Sequence, residues 1–247
     1  MLKSLNKRNS FSGLFASEIA YGFSSRSLGN MSLYHGNTES SLDNRKHFLS
    51  NLGINWRDLI CAKQVHASNV KLVTEKEKGR GAFSYDAALA DTDALITDRK
   101  NLPLAVFTAD CHSIFLFDPK TPAVGLVHAG WRSSKEKITL KAVKLMQEKF
   151  NTLAENLLVS FGPVIRNCCY EVGSEFKNHF PQDIVERGSR LFLDLIRTNK
   201  RDLHSLGVKE RNIFDPAICT SCNNEGFFSY RKEGKSCGRM MSVVMLR

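Results

Sequence analysis

No apolar run in the 247-residue chain approaches the roughly 20 residues that a helix needs to cross a bilayer. The N-terminal segment MLKSLNKRNSFSGLFASEIA is basic, but Ser, Gly and Glu interrupt its apolar positions. It therefore lacks the continuous hydrophobic region of a secretory leader. The glycines form no GxGxxG and no P-loop, and there is no GxSxG elbow, which takes weight from Rossmann, P-loop and α/β-hydrolase folds. No internal repeat, low-complexity segment or linker interrupts the chain, so one domain over residues 1–247 is the expectation.

Cysteine is present but does not form the framework of a small secreted protein: the count is seven, an odd number, with Cys168 and Cys169 adjacent. A reducing compartment follows, and a soluble, cytoplasmic protein is expected. Lys and Arg total 35 against 25 acidic residues, a formal charge of +10. Such a balance favours phosphate-bearing partners. The basic residues are scattered, with no arginine-rich tail, zinc finger or RNP motif, so nucleic acid is not expected and a small phosphorylated or purine ligand fits.

Along the chain, SEIAYGFSSR reads as a strand leading to Arg26, followed by a Ser/Gly/Asn-rich loop and a helix from Leu42 to Leu52. Two short strands are expected between Leu59 and Val73, broken near His66. The segments DALIT, LPLAVFTADC, SIFLFDP and AVGLVHAG are short, apolar and bounded by Pro, Asp or Gly, as buried strands are. Ser133 or Ser134 is expected to cap a helix running to Phe150, with Ile138, Ala142, Val143 and Met146 at helical spacing. LLVSFGP returns as a strand, helices are expected at Gly173–Phe180 and Asp194–Leu206, and MMSVVML closes the chain as a strand. Many neighbouring strands are joined by few residues, which favours antiparallel pairing and an α+β fold.

Three residues sit at the ends of such runs: His66 in KQVHASNV, Cys111 in TADCHS and His128 in VHAGWR. Two imidazoles and a thiolate suit Zn²⁺, and three protein ligands leave the fourth position open, as catalytic zinc requires. The same set with a weak axial ligand suits Cu²⁺, so copper stays open. Taken singly, a buried Cys or His is more often core packing. The shared context, flanked by Asp110, Gly130 and Arg132, gives these three their weight. A metal-free reading also stands, in which Cys111 is a nucleophile activated by His128.

The strings GFSSR, KQVH, TDALIT, TADC, VGLVHAGWR, GPVIRNCCYEVG and FFSYRKEG with GRMMSVV closely resemble the YfiH-type laccase-domain family, across nearly the whole chain. The resemblance implies a four-layer αββα fold with mixed, largely antiparallel sheets, and one zinc on His66, Cys111 and His128. It implies phosphorolysis of adenosine, inosine and S-methyl-5′-thioadenosine with inorganic phosphate, adenosine deamination, and an older copper-dependent polyphenol oxidase activity. The chain departs from the family pattern at His112 and Ser113, where an apolar residue and Pro are usual, and at Ser133, where Gly is usual.

For phosphorolysis, Arg132 and Arg26 are the candidates for phosphate or leaving-base charge, since guanidinium binds phosphate through two parallel bonds. Asp110 is the candidate to orient a ligand histidine or transfer a proton, and Cys111 completes the catalytic set. His112 would point to the face opposite Cys111 and is read as structural. Cys219 and Cys222 have CxxC spacing, with Cys237 beyond, but no second CxxC or paired His completes a closed tetrahedral set. Phe227, Phe228 and Tyr230 read as core or subunit-contact residues, with one aromatic near the site left open as a face for a purine. Seven histidines are few for mononuclear plus trinuclear copper centres. The HxE and PCxxC of zinc base deaminases are absent, so any deamination uses another site plan. A non-catalytic binding protein acting in cell-wall synthesis is the remaining alternative.

Overall fold

The structure, a computed structural model, describes residues 17–34 and 36–247. Most of the N-terminal segment read above for a leader, residues 1–16, lies outside the described residues, as does His35 in the loop that follows the first strand.

In chain order the strands are β1 (Ile19–Phe23), β2 (Ile60–Cys61), β3 (Val70–Leu72), β4 (Ala94–Thr97) and β5 (Leu104–Thr108). They continue as β6 (His112–Asp118), β7 (Ala123–Ala129), β8 (Leu158–Phe161) and β9 (Glu171–Val172). The last are β10 (Ile184–Arg187), β11 (Arg190–Leu193), β12 (Ile213–Phe214) and β13 (Met240–Leu246). They form a six-stranded sheet, β12-β8-β6-β7-β4-β3, a four-stranded sheet, β1-β13-β5-β2, and a three-stranded sheet, β10-β11-β9. Antiparallel pairs dominate, and the pairs β12–β8, β2–β5 and β3–β4 are parallel.

The continuous apolar runs of β5, β6, β7 and β13 are explained by burial on both faces. Between the two larger sheets lies a core of Leu95, Phe115, Phe117 and Leu126 from one and Leu104, Val106 and Val244 from the other. The outer face of the six-stranded sheet is covered by the helix Ile138–Phe150, whose Ile138, Val143 and Met146 pack on Ile96, Ile114 and Leu116. Each such side chain contributes about 2 kcal/mol of burial as an upper figure. The helix Thr38–Ser50 covers the other outer face through Phe48 and Leu49 against Ala105, Met241 and Val243.

Two expectations need correction. The helix expected to run from Ser133 or Ser134 to Phe150 is two helices, Trp131–Lys135 and Ile138–Phe150, because Lys137 takes a left-handed conformation (φ 58°) between them. The third sheet was not anticipated. Its hairpin turns through Gly188 and Ser189, with Arg187 opposite Arg190 and Gly188 at φ 58°, a conformation glycine adopts without strain. No described helix is long and apolar enough to cross a membrane.

Candidate active site and metal centre

Strand register, more than sequence spacing, builds the site. In the β6–β7 pair His112 lies opposite Ala129 and Ser113 opposite His128, so Cys111, one residue before β6, falls beside Gly130. In the β4–β7 pair Ala94 lies opposite Val127, which sets Asp93 beside His128; the His128 amide donates to the Asp93 carbonyl at 2.7 Å. His66 reaches the same place from the loop after β2, at a left-handed backbone position with φ 61°. Asp110, just before Cys111, also has a positive φ of 83°. Both ligand-bearing turns therefore hold conformations that cost energy in a non-glycine residue.

The ligand atoms of His66, Cys111 and His128 lie within 4.8 Å of one another. The sulfur of Cys111 is 3.8 Å from His66 Nε2, and the two imidazole rings stand edge to face with centroids 4.8 Å apart. Gly130 makes room for this: a Cβ there would sit 3.1 Å from the Cys111 sulfur and 3.1 Å from the His66 ring. His128 is buried, Cys111 half-buried and His66 exposed, so the set is closed behind and open in front.

Asp93 organises the set and was not singled out from the sequence, although it stands in the TDALIT string noted there. One carboxylate oxygen accepts from His128 Nδ1 at 2.8 Å and from the His66 amide at 3.0 Å; the other accepts from the amides of Val65 and Ala67 at 3.2 and 2.9 Å. Fully buried, Asp93 is opposed by its own desolvation, yet these donors hold its pKa below the ordinary carboxylate value. Its bond to Nδ1 fixes the tautomer and turns Nε2 toward Cys111. Burial alone would raise the Cys111 thiol, but His128 and His66 outweigh it and bring the pKa down to about 6. His128 moves the other way, up against its desolvation, under the Cys111 thiolate and Asp93.

His66, Cys111 and His128 line a cavity of about 680 Å³, together with Phe107, Trp131, Tyr170, Arg132, Arg231 and Arg239. That volume is within the range of small-ligand sites. Arg132 is exposed, stacks over Trp131 at 4.5 Å and has no ion-pair partner among the described residues. The Tyr170 hydroxyl is held protonated, its pKa raised by burial first and then by the Cys111 thiolate.

Of the sequence candidates, His66, Cys111, His128, Asp110 and Arg132 converge on the cavity and Arg26 does not. Its guanidinium bonds the Asn224 carbonyl at 2.7 Å, pairs with Glu233 and lies 4.4 Å from the Phe228 ring. It clasps the C-terminal loop rather than facing a ligand. Asp110 lines the cavity, but its two oxygens accept from the Thr220 hydroxyl at 2.5 Å and the Arg231 amide at 2.6 Å. This makes it a tie between the Cys111 turn and two later segments. Tyr230, read as a core or subunit-contact residue, is 46% exposed in the cavity wall and so is not core.

The three departures from the family pattern border the ligands but do not line the cavity. His112 is fully buried against Phe161, neither ring nitrogen has a hydrogen-bond partner among the described residues, and burial holds it neutral, with its pKa lowered to about 3. The Ser113 hydroxyl meets that of Ser242 at 2.8 Å. Ser133 closes the turn after His128, accepting from the Gly130 amide at 2.9 Å.

A family model described as multi-copper polyphenol oxidoreductase laccase matches residues 16–247. A purine nucleoside phosphorylase of Clostridium acetobutylicum is 33% identical over 85% of this chain and 85% of its own length. The adenosine deaminase RL5, from an unknown prokaryotic organism, is 33% identical over 82% of this chain and 80% of its own. Among solved structures, the Bacillus licheniformis protein YfiH superposes with a TM-score of 0.90 at 28% identity, covering 95% of both chains. YlmD from Geobacillus stearothermophilus gives 0.88 at 28% identity, covering 95% of this chain and 94% of its own. With the family model spanning nearly the whole sequence and the fold shared from end to end, the chain belongs to the YfiH/YlmD laccase-domain family, whose relatives include purine nucleoside phosphorylases.

Proposed function

We propose that the protein is a zinc-dependent purine nucleoside phosphorylase. Its substrates are adenosine, inosine and S-methyl-5′-thioadenosine with inorganic phosphate, and adenosine deamination is a further activity. One observation carries the reading: His66, Cys111 and His128 converge, open on one side, in a cavity walled by aromatic rings and arginines. The names of the phosphorylase and deaminase relatives support the substrate class. The order helix, sheet, sheet, helix read from the three cores is, on this view, the family's αββα stack.

The residues fit zinc. Two imidazoles and a thiol already driven toward thiolate make a suitable donor set, and the carboxylate behind His128 is the usual support for a zinc-bound histidine. Bound zinc would act as a Lewis acid toward an oxygen of the reactants. The rest of the chemistry belongs to the protein. In phosphorolysis the C1′–N bond breaks with its electron pair leaving on the purine, and a phosphate oxygen bonds C1′. Arg132, with no acidic partner among the described residues, offers its donors to the phosphate. Trp131 and the tyrosines provide faces on which a purine stacks. Tyr170, protonated at neutral pH, donates toward the departing base. Asp110 keeps the Cys111 turn in place rather than moving a proton.

The test is to incubate the pure protein with adenosine, with and without phosphate, and resolve adenine, ribose 1-phosphate and inosine by chromatography. Phosphate-dependent adenine and ribose 1-phosphate, lost in Cys111→Ala, support the proposal; no product from zinc-replete protein sinks it. The lowered Cys111 thiol beside His128 favours a second reading, a metal-free cysteine hydrolase. Metal analysis separates the two, because hydrolysis by protein stripped of metal belongs only to the second.

A further inference from the structure

Away from the cavity lining, four more sulfurs meet. Cys168, Cys169, Cys219 and Cys222 place their Sγ atoms within 4.8 Å of one another. Cys222 is 3.4 Å from Cys168 and 3.3 Å from Cys169, residues more than fifty positions away in sequence. From these four residues we propose a second metal site, a closed tetrathiolate centre for zinc that is separate from His66, Cys111 and His128.

The geometry suits a metal. At a Zn–S distance of about 2.3 Å, the sulfurs of a tetrahedral centre lie about 3.8 Å apart, within the span seen here. Each half of the set is built by backbone. Cys219–Cys222 is a tight turn in which the Asn223 amide bonds the Cys219 carbonyl at 3.0 Å. The adjacent pair sits in a second turn, closed by the amides of Cys169 and Tyr170 on the Arg166 carbonyl, both at 2.9 Å. A parallel bridge between Val164 and Cys219 joins the two turns.

A disulfide explains less. It would take two sulfurs to about 2.05 Å and leave two behind. Cys222 is also nearly equidistant from both members of the adjacent pair, so no single bond is singled out. An all-sulfur tetrahedral set favours zinc among the common divalent ions. The sequence rule failed here because it looked for a second CxxC, whereas the fold supplies an adjacent pair.

The site has a structural consequence. One turn carries Ile165 and Tyr170 of the cavity wall; the other carries Thr220, which holds Asp110 next to Cys111. A metal joining the turns fastens the cavity wall to the loop that presents Cys111.

Metal analysis of the full chain, purified under reducing conditions, is expected to find about two zinc ions per chain, and about one in either Cys111→Ser or the double variant Cys219→Ser/Cys222→Ser. In Cys111→Ser, cobalt(II) replacing the remaining zinc is expected to give the intense sulfur-to-metal charge-transfer bands of a tetrathiolate. If the double variant does not fold, alkylation of the wild-type chain decides: zinc must protect Cys168, Cys169, Cys219 and Cys222 together until a chelator is added. The proposal is overturned by an unchanged zinc content in a folded double variant, by alkylation of these cysteines at the same rate with and without zinc, or by a disulfide within the set in freshly purified, metal-free protein. Because the Cys111 and Cys219/Cys222 variants each report on one site, failure here is distinguishable from failure of the phosphorylase reading.

Discussion

Replacing Asp93 by Asn changes one atom for another of similar size and separates the organising role of the carboxylate from its bulk. Each oxygen now accepts two bonds, one from the His128 ring and the His66 amide, the other from the Val65 and Ala67 amides. An asparagine keeps one oxygen and presents an NH₂ where the other was, so whichever way it turns two donors face a donor. The favourable rotamer keeps the His128 contact and orphans Val65 and Ala67. An orphaned buried donor costs about 1–3 kcal/mol. Val65 is 48% exposed and Ala67 is only half-buried, so water relieves part of the loss. The expected cost is about 2–3 kcal/mol, or roughly 5–10 °C in melting temperature for a chain of this size. Urea and thermal melts in excess chelator measure that cost without metal. Zinc affinity, measured by competition with a chromogenic chelator, should fall about 10–100-fold, because the tautomer and orientation of His128 are no longer fixed. A variant within about 0.5 kcal/mol of wild type that also binds zinc as tightly would refute the role given to Asp93.

Gly130→Ala is expected to displace the Cys111 sulfur and the His66 ring by a few tenths of an ångström and so weaken zinc binding and turnover, while its φ of −78° suits alanine and global stability falls by only about 1 kcal/mol. Metal content and a thermal melt on the same sample check it, and full zinc occupancy counts against the steric argument. His112→Leu removes two buried nitrogens that lack partners and should stabilise the fold by about 1 kcal/mol in urea melts; a loss of more than about 1 kcal/mol means that His112 is satisfied in a way the structure does not show. Arg132→Ala should raise the KM for phosphate with little change in melting temperature. Arg26→Ala should do the reverse, since Arg26 clasps Glu233 and the Asn224 carbonyl outside the cavity. Burial opposes ionisation of Asp215, but the two bonds from Arg166, at 2.8 and 2.9 Å, keep its pKa below the ordinary aspartate value of 3.8. Its contribution is therefore present above pH 3.8 and lost as pH falls through the lower folded value. Asp215→Asn should lose about 1–2 kcal/mol at pH 7 and converge on wild type in acid, as read by urea melts across that range.

The parts legible in the sequence are those where one local signal suffices. The strands β4 to β8 and β13 announced themselves because burial on both faces demands unbroken apolar runs, and Pro, Asp and Gly mark their ends. His66, Cys111 and His128 were found together because each stands in a short, specific string at the end of such a run. The hairpin β10–β11 was missed because Val185, Glu186 and Arg187 are too exposed to show a buried strand's pattern, leaving only the turn at Gly188 as a sign. The helix break at Lys137 has no sequence mark at all, since lysine is a good helix former and yet takes a left-handed conformation here.

What local signals miss is convergence. Asp93 reads as the polar residue before a strand; only the register that sets Ala94 opposite Val127 makes it the partner of His128. Arg26 reads as a free cation following a strand, and only the return of the chain at Asn224–Glu233 commits its guanidinium. The four-sulfur cluster is the extreme case. Neither CC nor CxxC is a metal motif alone, and the bridge between Val164 and Cys219 that unites them is a long-range pairing. The same reasoning ranks the three departures from the family pattern. His112, Ser113 and Ser133 adjoin the ligands in sequence, but alternation along β6 and the turn after β7 carry their side chains into the core and away from the cavity. Their effect is therefore expected on stability before substrate choice. Differences in specificity among relatives should instead be sought where the cavity wall is exposed, at Tyr34, Tyr230 and Arg132.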